Sequence, residues 1–505
     1  MSILDFFRRP KPLPWLGRRP IEQFLKSWDG KTELPDDDAQ ERIKFVAGGM
    51  DGVFAHHGGD SKPTGTGARV AREVIRAAKR DDDRSKAALY EAAMREPAQA
   101  IADEVLSGID GADRDSVAAT ARWLVRNAPD REPVKLGLFL LGASGTAGDL
   151  PLLELFARHE EFTKFAAFAA GALLEDPVDA WMRMAQRVHG WGKIDLVERI
   201  ASRGAGRAEV REWLLRHGCS NFVMDEYLGH VCASAGRLHE AIAAEHVDDE
   251  MLQGMITIVL ALTSESGAAA DIRDYEFAEP VILHLIRHLE AHPSFASQRA
   301  AGTLLRWIDQ TEGRGEEFRD VVRRRCRAIV DQLAPDELRA RFYGSPQERW
   351  DAWRLAGIKG IDLWEDAFAL LDASPYDSWL YQYVVASDDP MRQRRVIAFA
   401  EERLPLEQIA SGPRDELGFG DDYLAHGALD MILQRMKDGD VFSERLVLAA
   451  LRSPVTRNRN MALNAIEARQ TVSRDVRAAL AAAASIEPNA GTREQMGSLA
   501  QKFPL

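Results

Sequence analysis

The sequence predicts an all-α protein, an α-solenoid (superhelix) of stacked antiparallel helix pairs. From about Gly67 onward, alanine, the strongest helix former, is well above its average frequency. The regular alternation of apolar and polar residues that would indicate strands is absent from the sequence. Two-helix segments begin near Asp149, Val178, Arg207 and Gly236, each 29 residues after the one before. A repeat of this length made of two short helices is typical of a solenoid.

Matching residues at the end of the first helix support the repeat in three segments. Arg158-His159, Arg216-His217 and Glu245-His246 are separated by 29 residues or by twice that number. One helix pair cannot cover its own apolar face, so a neighbouring pair must bury large side chains, each worth about 1.5–3 kcal/mol. The second helices of the four segments are expected at residues 161–174, 191–202, 221–233 and 249–262.

Composition divides the chain into five regions, the first of which is a basic arm. Arginines and lysine alternate there with prolines, which break helices and sheet ladders, so we expect an extended or mobile segment. A further hypothesis is that this arm occupies the groove of the solenoid in cis. The regions are 1–20 (basic, Pro-rich arm), 21–110 (N-terminal helical capping region), 111–263 (regular repeats), 264–440 (irregular helical repeats) and 441–505 (C-terminal repeats and cap).

For two segments, the sequence is compatible with more than one type of secondary structure. The run from Trp379 to Val385 is apolar enough for a strand, but Asp377 in front of it fits a helix N-cap equally well. Residues 142–148 resemble a glycine-rich phosphate-binding turn, which would need a strand before it. The preceding run, residues 135–141, favours a helix that ends at Gly142, without a nucleotide site.

The charge balance restricts the function classes. The 505 residues include 65 basic and 79 acidic side chains, which gives a net charge of −14. An acidic surface repels phosphate, so nucleic acid is not the expected partner, and a basic protein or peptide is favoured. The longest apolar runs are much shorter than the about 20 residues that cross a bilayer, so no membrane partner is expected.

The cysteines and the N-terminal segment favour the cytoplasm. Cys219, Cys232 and Cys326 form no CxxC motif, so neither a disulfide framework nor a thiolate zinc site is expected. Arg18-Arg19 resembles the start of a twin-arginine export signal, but the polar residues 27–31 stand where an apolar stretch is required. We therefore expect a cytoplasmic protein without a cofactor.

Parts of the chain resemble HEAT repeats, in which a first helix, a tight Asp-Pro turn and a second helix with an inner arginine and alanine recur. The fit is best at residues 448–455 with Arg457, Ala462 and Ile466, and partial at Asp176-Pro177 and Asp389-Pro390. The spacing is nearest to short bacterial HEAT-like units, and residues 152–233 also resemble an uncharacterised bacterial group of such proteins. The resemblance extends over about residues 110–485 and implies a fold rather than an activity.

The second helices are expected to carry the binding residues, because they usually line the concave face of a solenoid. Tryptophan, tyrosine and arginine are enriched at interfaces. The alternative interpretation is packing of the aromatic rings between repeats and ion pairing of the charges. We predict a non-catalytic protein-binding scaffold or adaptor. Its predicted partner-binding residues are Trp191, Lys193, Arg199, Asn221, Asp225 and Tyr227.

A metal-binding enzyme is one alternative. His284, His288 and His292 are spaced four residues apart, which places them on one stripe of a helix. Imidazoles in this arrangement could chelate a transition metal. The carboxylate of an HExxH motif is missing, and the stripe borders an apolar face, so a half-exposed polar border is the competing interpretation. His56-His57 with Asp60 is a similar candidate in a loop.

A HEAT-like enzyme that processes nucleic acid is the other alternative. The cluster of arginines formed by Arg319 and residues 323–327 could contact phosphate or an acidic partner. The competing interpretation is a solvated helix face that pairs with Glu316, Glu317 and Asp320.

Overall fold

The computed structural model describes residues 13–35, 46–58, 65–438 and 441–504, except for the side chains of residues 54, 55 and 438. Over these residues the protein is all-α and contains no β-strand. An isolated parallel bridge joins Glu416 to Val455. The prediction of an all-α protein is therefore confirmed.

The chain forms two compact units, Met1–Ile329 and Val330–Leu505. The boundary falls within the region predicted as irregular repeats, so the division into five regions stays a prediction. The helices up to the boundary are α1 (Ile21–Lys26), α2 (Gly49–His57), α3 (Thr66–Arg80), α4 (Asp83–Ala93), α5 (Ala98–Gly108), α6 (Arg114–Asn127), α7 (Arg131–Ser144), α8 (Leu150–Phe156), α9 (Glu160–Leu173), α10 (Val178–Ala185), α11 (Gly190–Gly204), α12 (Ala208–Trp213), α13 (Glu226–Ala235), α14 (Leu238–Ala241), α15 (Asp249–Leu262), α16 (Ala278–Ala291), α17 (Phe295–Gln310) and α18 (Glu316–Asp331).

The second unit continues the all-helical pattern. Its helices are α19 (Pro335–Phe342), α20 (Pro346–Lys359), α21 (Trp364–Ala373), α22 (Ser378–Val385), α23 (Pro390–Arg403), α24 (Leu406–Ile409), α25 (Leu424–Asp438), α26 (Glu444–Ala450), α27 (Thr456–Glu467), α28 (Arg474–Ile486) and α29 (Ala490–Lys502).

In the first unit, alternate helices of the chain pack side by side in a row. The series α7, α9, α11, α13, α15 and α17 forms such a row, and α8 and α10 pack against α9 and α11 as their pair partners. Four small residues of α9, Ala166, Ala167, Ala169 and Ala170, are completely buried and allow neighbouring helices to approach closely. Packing of each helix against its sequence neighbours is consistent with a helical repeat.

The helix starts follow the predicted register. The first helices α8, α10, α12 and α14 begin at Leu150, Val178, Ala208 and Leu238, close to the predicted starts. The second helices α9, α11 and α15 also begin within one residue of their predicted positions. The exception among the second helices is α13, which begins at Glu226 rather than at 221. Residues 219–225 form a turn instead, which is described below.

In the second unit the corresponding row is α22, α25, α27 and α29. The run from Trp379 onward belongs to helix α22, because the Asp377 carboxylate accepts a hydrogen bond from the Trp379 backbone N–H at 2.9 Å. Arg459 of α27 and Glu487 form an ion pair at 2.6 Å, and both side chains are completely buried.

The structure corrects the predicted end of α7 and describes only part of the basic arm. Helix α7 passes through Gly142 and ends only at Ser144, with Gly145 as its C-cap. The glycine at 142 lies inside the helix, where the lack of a side chain allows α7 to pack closely against the ring of Phe168. The basic residues of the arm before position 13 lie outside the described residues. Trp15 packs against the rings of Tyr90 and Trp123, which anchors the end of the arm beside α4 and α6.

Arg18 of the arm is also fixed. Its guanidinium donates two hydrogen bonds, 2.7 and 2.6 Å long, to the buried carboxylate of Asp130. The hydroxyl of Tyr90 donates to the same carboxylate. This part of the arm is therefore bound to the first helices of its unit, rather than extended in solvent.

Candidate functional site

Helices α2, α9 and α11 line a partly open pocket, which we call the acidic pocket; its empty space is about 500 Å³ when the part open to solvent is included. Helix α9 contributes Glu160, Glu161 and Lys164, and α11 contributes Trp191, Asp195 and Glu198. Helix α2 contributes Asp51 and His56. Five carboxylates thus line the pocket with one lysine, one histidine and one tryptophan.

A buried lysine of α7 holds two of these carboxylates in place. The Nζ atom of Lys135 lies 2.7 Å from Asp51, 2.6 Å from Glu161 and 3.3 Å from Glu132. Burial acts to lower the pKa of Lys135, but the three carboxylates outweigh burial and raise this pKa above its usual value. Lys135 is therefore a cation that ties α2 and α9 to α7.

Helix α2 is held against the repeats by its backbone as well. The Gly48 N–H donates to Glu161 at 2.9 Å. Gly52 packs directly on the indole of Trp191, where a Cβ atom would lie only 2.3 Å from a ring carbon. Only glycine permits this approach, so residue 52 determines how closely α2 covers α11.

The N-terminus of α11 is shaped by a second glycine. Gly190 has a φ of +59°, and a Cβ atom there would lie 1.8 Å from an oxygen of Glu160. Burial raises the pKa of Glu160, and the backbone N–H of Trp191 opposes that rise. The carboxylate of Glu160 therefore lies directly over the first turn of α11.

Two further groups of the pocket have their own partners. Arg199 donates two hydrogen bonds to Asp195, at 2.7 and 3.1 Å. The Nζ atom of Lys164 donates a long hydrogen bond of 3.5 Å to the backbone oxygen of Asp51, and burial lowers the pKa of Lys164.

Glu198 is the most perturbed carboxyl group of the pocket. Burial and the neighbouring Asp195 raise the pKa of Glu198 to about 7. Arg199 and Lys164 act in the opposite direction on this pKa. The nearest group that could form an ion pair with Glu198 is His56, 3.9 Å away, whose own pKa is lowered by burial, Lys164 and His57. His56 is therefore neutral at pH 7. Among the described residues, no lysine or arginine lies within ion-pair distance of Glu198 or Glu160. The pocket therefore has an excess of negative charge.

An aromatic cluster closes one side of the pocket. The ring of Trp191 lies 5.7 Å from His56 and 5.1 Å from Tyr227, and these two rings are 5.2 Å apart. A hydrogen bond of 2.8 Å joins His57 Nε2 to the Tyr227 hydroxyl. The indole thus has a fixed orientation between α2 and α13.

Residues 219–225, which we call the Asn221 turn, lie beside the pocket. The Asn221 carboxamide oxygen accepts hydrogen bonds from the N–H groups of Val223 and Met224, at 2.9 and 3.0 Å. The backbone oxygen of Asn221 accepts the N–H of Gly190 at 2.7 Å, which joins the turn to α11. Phe222 has a φ of +66° and an 80% exposed side chain. A bulky residue in this backbone conformation is unusual, and here it is presented to solvent.

The structure brings together only part of the predicted partner-binding set. Trp191 lines the pocket, and Arg199 and Tyr227 lie directly behind it through Asp195 and His57. Asn221 and Asp225 build the turn, where Asp225 accepts the Asn221 N–H at 3.1 Å. Lys193 is buried, and burial lowers its pKa.

Sequence reasoning missed most of the charged groups that line the pocket. One signal was present: Lys135 interrupts the apolar stretch 133–141 of α7 and must have carboxylate partners when it is buried. The charged pocket residues that the predicted binding set does not contain are Asp51, Glu160, Glu161, Lys164, Asp195 and Glu198.

The histidine candidates do not converge on a common point. His288 is buried, and its ring nitrogen lies 2.9 Å from the backbone oxygen of Ile242, while His292 lies 3.7 Å from Asp249. His56 and His57 belong to helix α2 rather than to a loop, and Asp60 lies outside the described residues. Over the described part of the chain, no three histidine, cysteine, aspartate or glutamate side chains are grouped so that they could hold a metal ion.

The arginine cluster of α18 is largely paired with acidic residues. Arg323 contacts Asp309, Glu316 and Asp320, and Arg325 contacts Glu290 at 2.7 Å. These contacts match the interpretation of a solvated, ion-paired helix face.

Comparisons with protein-family models and with curated proteins gave no match for this chain. None of the helices within the described ranges is both long and apolar enough to cross a bilayer.

Proposed function

We propose that the protein is a non-catalytic scaffold or adaptor, a HEAT-like solenoid of the cytoplasm that binds a basic segment of a partner protein. The observation that carries this proposal is the excess of carboxylates in the acidic pocket, at the N-terminal ends of two consecutive second helices. Second helices of a solenoid line its concave face, where partners bind. The net charge of −14 favours the same class of partner and disfavours nucleic acid.

Affinity capture with charge-reversal variants tests this proposal. The full chain would be immobilised as wild type, as Glu198→Lys and as the matched control Glu402→Lys, which alters an exposed residue of α23. We expect a partner that wild type and control retain and that Glu198→Lys loses, because the added ammonium repels a basic segment. Mass spectrometry would identify the retained proteins.

The bound segment of each retained partner would be located by chemical cross-linking, and we expect it to be rich in lysine or arginine. Equal capture by wild type and Glu198→Lys would contradict the proposal. A bound segment without basic residues would contradict it as well.

A further inference from the structure

A second pocket lies in the second unit, between α22, α23, α25 and the residue that precedes α26, and we call it the Arg435 pocket. Its empty space is about 310 Å³ when the part open to solvent is included, at the lower end of the range of ligand pockets. A pocket of this size accommodates one small group rather than a whole segment. Six of its eight lining residues are apolar: Val385, Val396, Ile397, Ile432, Met436 and Val441.

The apolar wall continues from the interior of the unit to its surface. Val396 and Ile432 are buried, whereas Val385 and Ile397 are partly exposed. A branched aliphatic side chain that enters from solvent would therefore be removed from water against this wall, which favours binding. Met436 also lines the pocket, and its flexible thioether side chain can adapt to the shape of the group that enters.

Arg435 adds a cation to the apolar wall. Its Nε–H group is buried and has no hydrogen-bond partner among the described residues. The same guanidinium forms an ion pair with Asp388, but the Asp388 side chain is 93% exposed, so water screens this pair. A guanidinium has five N–H donors and binds a carboxylate through two of them at once. A carboxylate in the pocket would thus supply the acceptor that Arg435 lacks.

Gln393 is the other polar residue of the pocket. Its Nε2 atom donates to the backbone oxygen of Ser387 at 3.0 Å, which orients the carboxamide and leaves its oxygen to accept an N–H group of a ligand. The partners of Gln393 and Arg435, Ser387 and Asp388, are adjacent in the chain. Both polar groups therefore lie at the same end of the pocket, beside the turn between α22 and α23.

We propose that the Arg435 pocket is a docking site for the C-terminal residue of a partner polypeptide. A small branched side chain such as that of valine lies against the apolar wall, the terminal carboxylate binds Arg435, and the last backbone N–H donates to Gln393. These three groups occur together only at the end of a chain, and they complement the wall and the cation in polarity and charge. The inference goes beyond the proposed function, because it adds a site in the other unit and a partner group of opposite charge.

Methyl NMR of the full chain, labelled with ¹³C at its methionine methyl groups, tests this proposal. Met436 lines the pocket, so its signal reports binding there, and the spectrum of Met436→Leu assigns that signal. The probes are N-acetylated five-residue peptides of glycine and serine that end in valine acid, valine amide or serine acid.

We expect the valine acid peptide to shift the Met436 signal in a saturable way. The amide should bind about tenfold more weakly, because it lacks the hydrogen bonds between a charged acceptor and the guanidinium. The serine acid peptide should also bind more weakly, because it buries no apolar side chain.

Arg435→Met separates the contribution of the charge from that of the wall. The variant keeps an apolar side chain and lacks the guanidinium, so valine acid and valine amide should bind to it equally. Arg403→Met is the matched control, because Arg403 also pairs with an exposed aspartate, Asp372, and does not line the pocket. The control should keep the tenfold difference, and the other methionine signals report whether each variant retains its fold.

Equal binding of the acid and the amide to the wild type, or no saturable shift of the Met436 signal, would overturn the proposal. A difference that persists in Arg435→Met would overturn it as well, since another group must then bind the carboxylate. Isovalerate has the same side chain and carboxylate but no N–H group, and its binding as tightly as the peptide would assign the pocket to a small acid instead. Neither arginine variant alters the acidic pocket, so capture with Glu198→Lys tests the proposed function independently.

Discussion

Lys135 illustrates how one residue organises the candidate site. It lies within a mostly apolar stretch of α7, and its three carboxylate partners come from α2, α7 and α9. Loss of the lysine would leave buried carboxylates without a counter-charge, which is far more costly than the net gain from the ion pairs themselves. The residue therefore fixes the arrangement of helices around the pocket rather than binding a partner.

The acid sensitivity of the fold is expected to involve His159. Its Nδ1 atom accepts the N–H of Glu161 at 3.2 Å, and burial lowers the pKa of His159 to about 4. The folded chain thus keeps this histidine neutral, whereas the unfolded chain protonates it near pH 6.5. Stability from this residue is complete above pH 6.5 and is lost as the pH falls towards 4, by about 2 kcal/mol between pH 7 and pH 5.

Urea denaturation of wild type and His159→Asn at pH 7 and pH 5 measures this effect. Asparagine is a good N-cap, so the variant keeps a cap on α9 and lacks the titrating group. The wild type should lose about 2 kcal/mol more than the variant between the two pH values. Equal losses in the two proteins would contradict the assignment.

At the scale of the element, caps explain why many helices begin where they do. Asp113, Ser345 and Asn489 each accept a hydrogen bond from a backbone N–H of the first turn that follows. The same rule decides the segment from Trp379 onward, where the cap of Asp377 favours a helix over a strand. In the Asn221 turn, by contrast, the side chain bonds to the backbone of its own loop and delays the start of α13.

The close packing of α2 on α11 predicts a specific effect of Gly52→Ala. The added methyl group would overlap the Trp191 indole, so α2 must move away from the pocket. We expect faster amide hydrogen exchange in residues 49–57, while α9 and α11 keep their protection. The matched control is Gly357→Ala, where a methyl group meets no other atom within 4 Å.

The control should be stabilised by up to about 1 kcal/mol, because alanine is the better residue inside a helix. Unchanged exchange of residues 49–57 in Gly52→Ala would contradict the described packing.

At the scale of the whole molecule, each of the two compact units buries a core of its own. In the second unit this core includes the completely buried pair Arg459 and Glu487, and Arg459 also donates to the backbone oxygens of Ser453 and Pro454. A buried ion pair adds little net stability, but removal of one partner alone is expensive.

Unfolding is expected to depart from two-state behaviour, because helices contact mainly their neighbours in sequence. Arg459→Met should destabilise its surroundings by about 3–5 kcal/mol, since the Glu487 carboxylate stays buried without a partner. Hydrogen exchange should then accelerate within residues 330–505 and not in α3 to α15. Scanning calorimetry of the wild type should give a calorimetric enthalpy larger than the van't Hoff enthalpy.

Arg403→Met is the matched control, because Arg403 and Asp372 form an exposed pair worth about 1 kcal/mol at most. A single cooperative transition with equal enthalpies would contradict the neighbour-dependent unfolding. Uniform acceleration of exchange over the whole chain by Arg459→Met would contradict it too.

The sequence by itself determined the helical class, the starts of most repeat helices and the acidic character of the chain. These properties follow from local helix propensity and from the spacing of apolar residues, both of which depend only on residues close together in the chain. It also singled out Trp191, Arg199 and Tyr227, because their residue types are common at interfaces.

Only the tertiary structure decided where the pocket lies and which groups share it. The charged residues come from α2, α7, α9 and α11, which are far apart in the chain, and packing brings them to within a few ångströms. The raised pKa of Glu198 likewise depends on burial by other helices. Burial and through-space charge are properties of the folded arrangement, so no local pattern of residues specifies them.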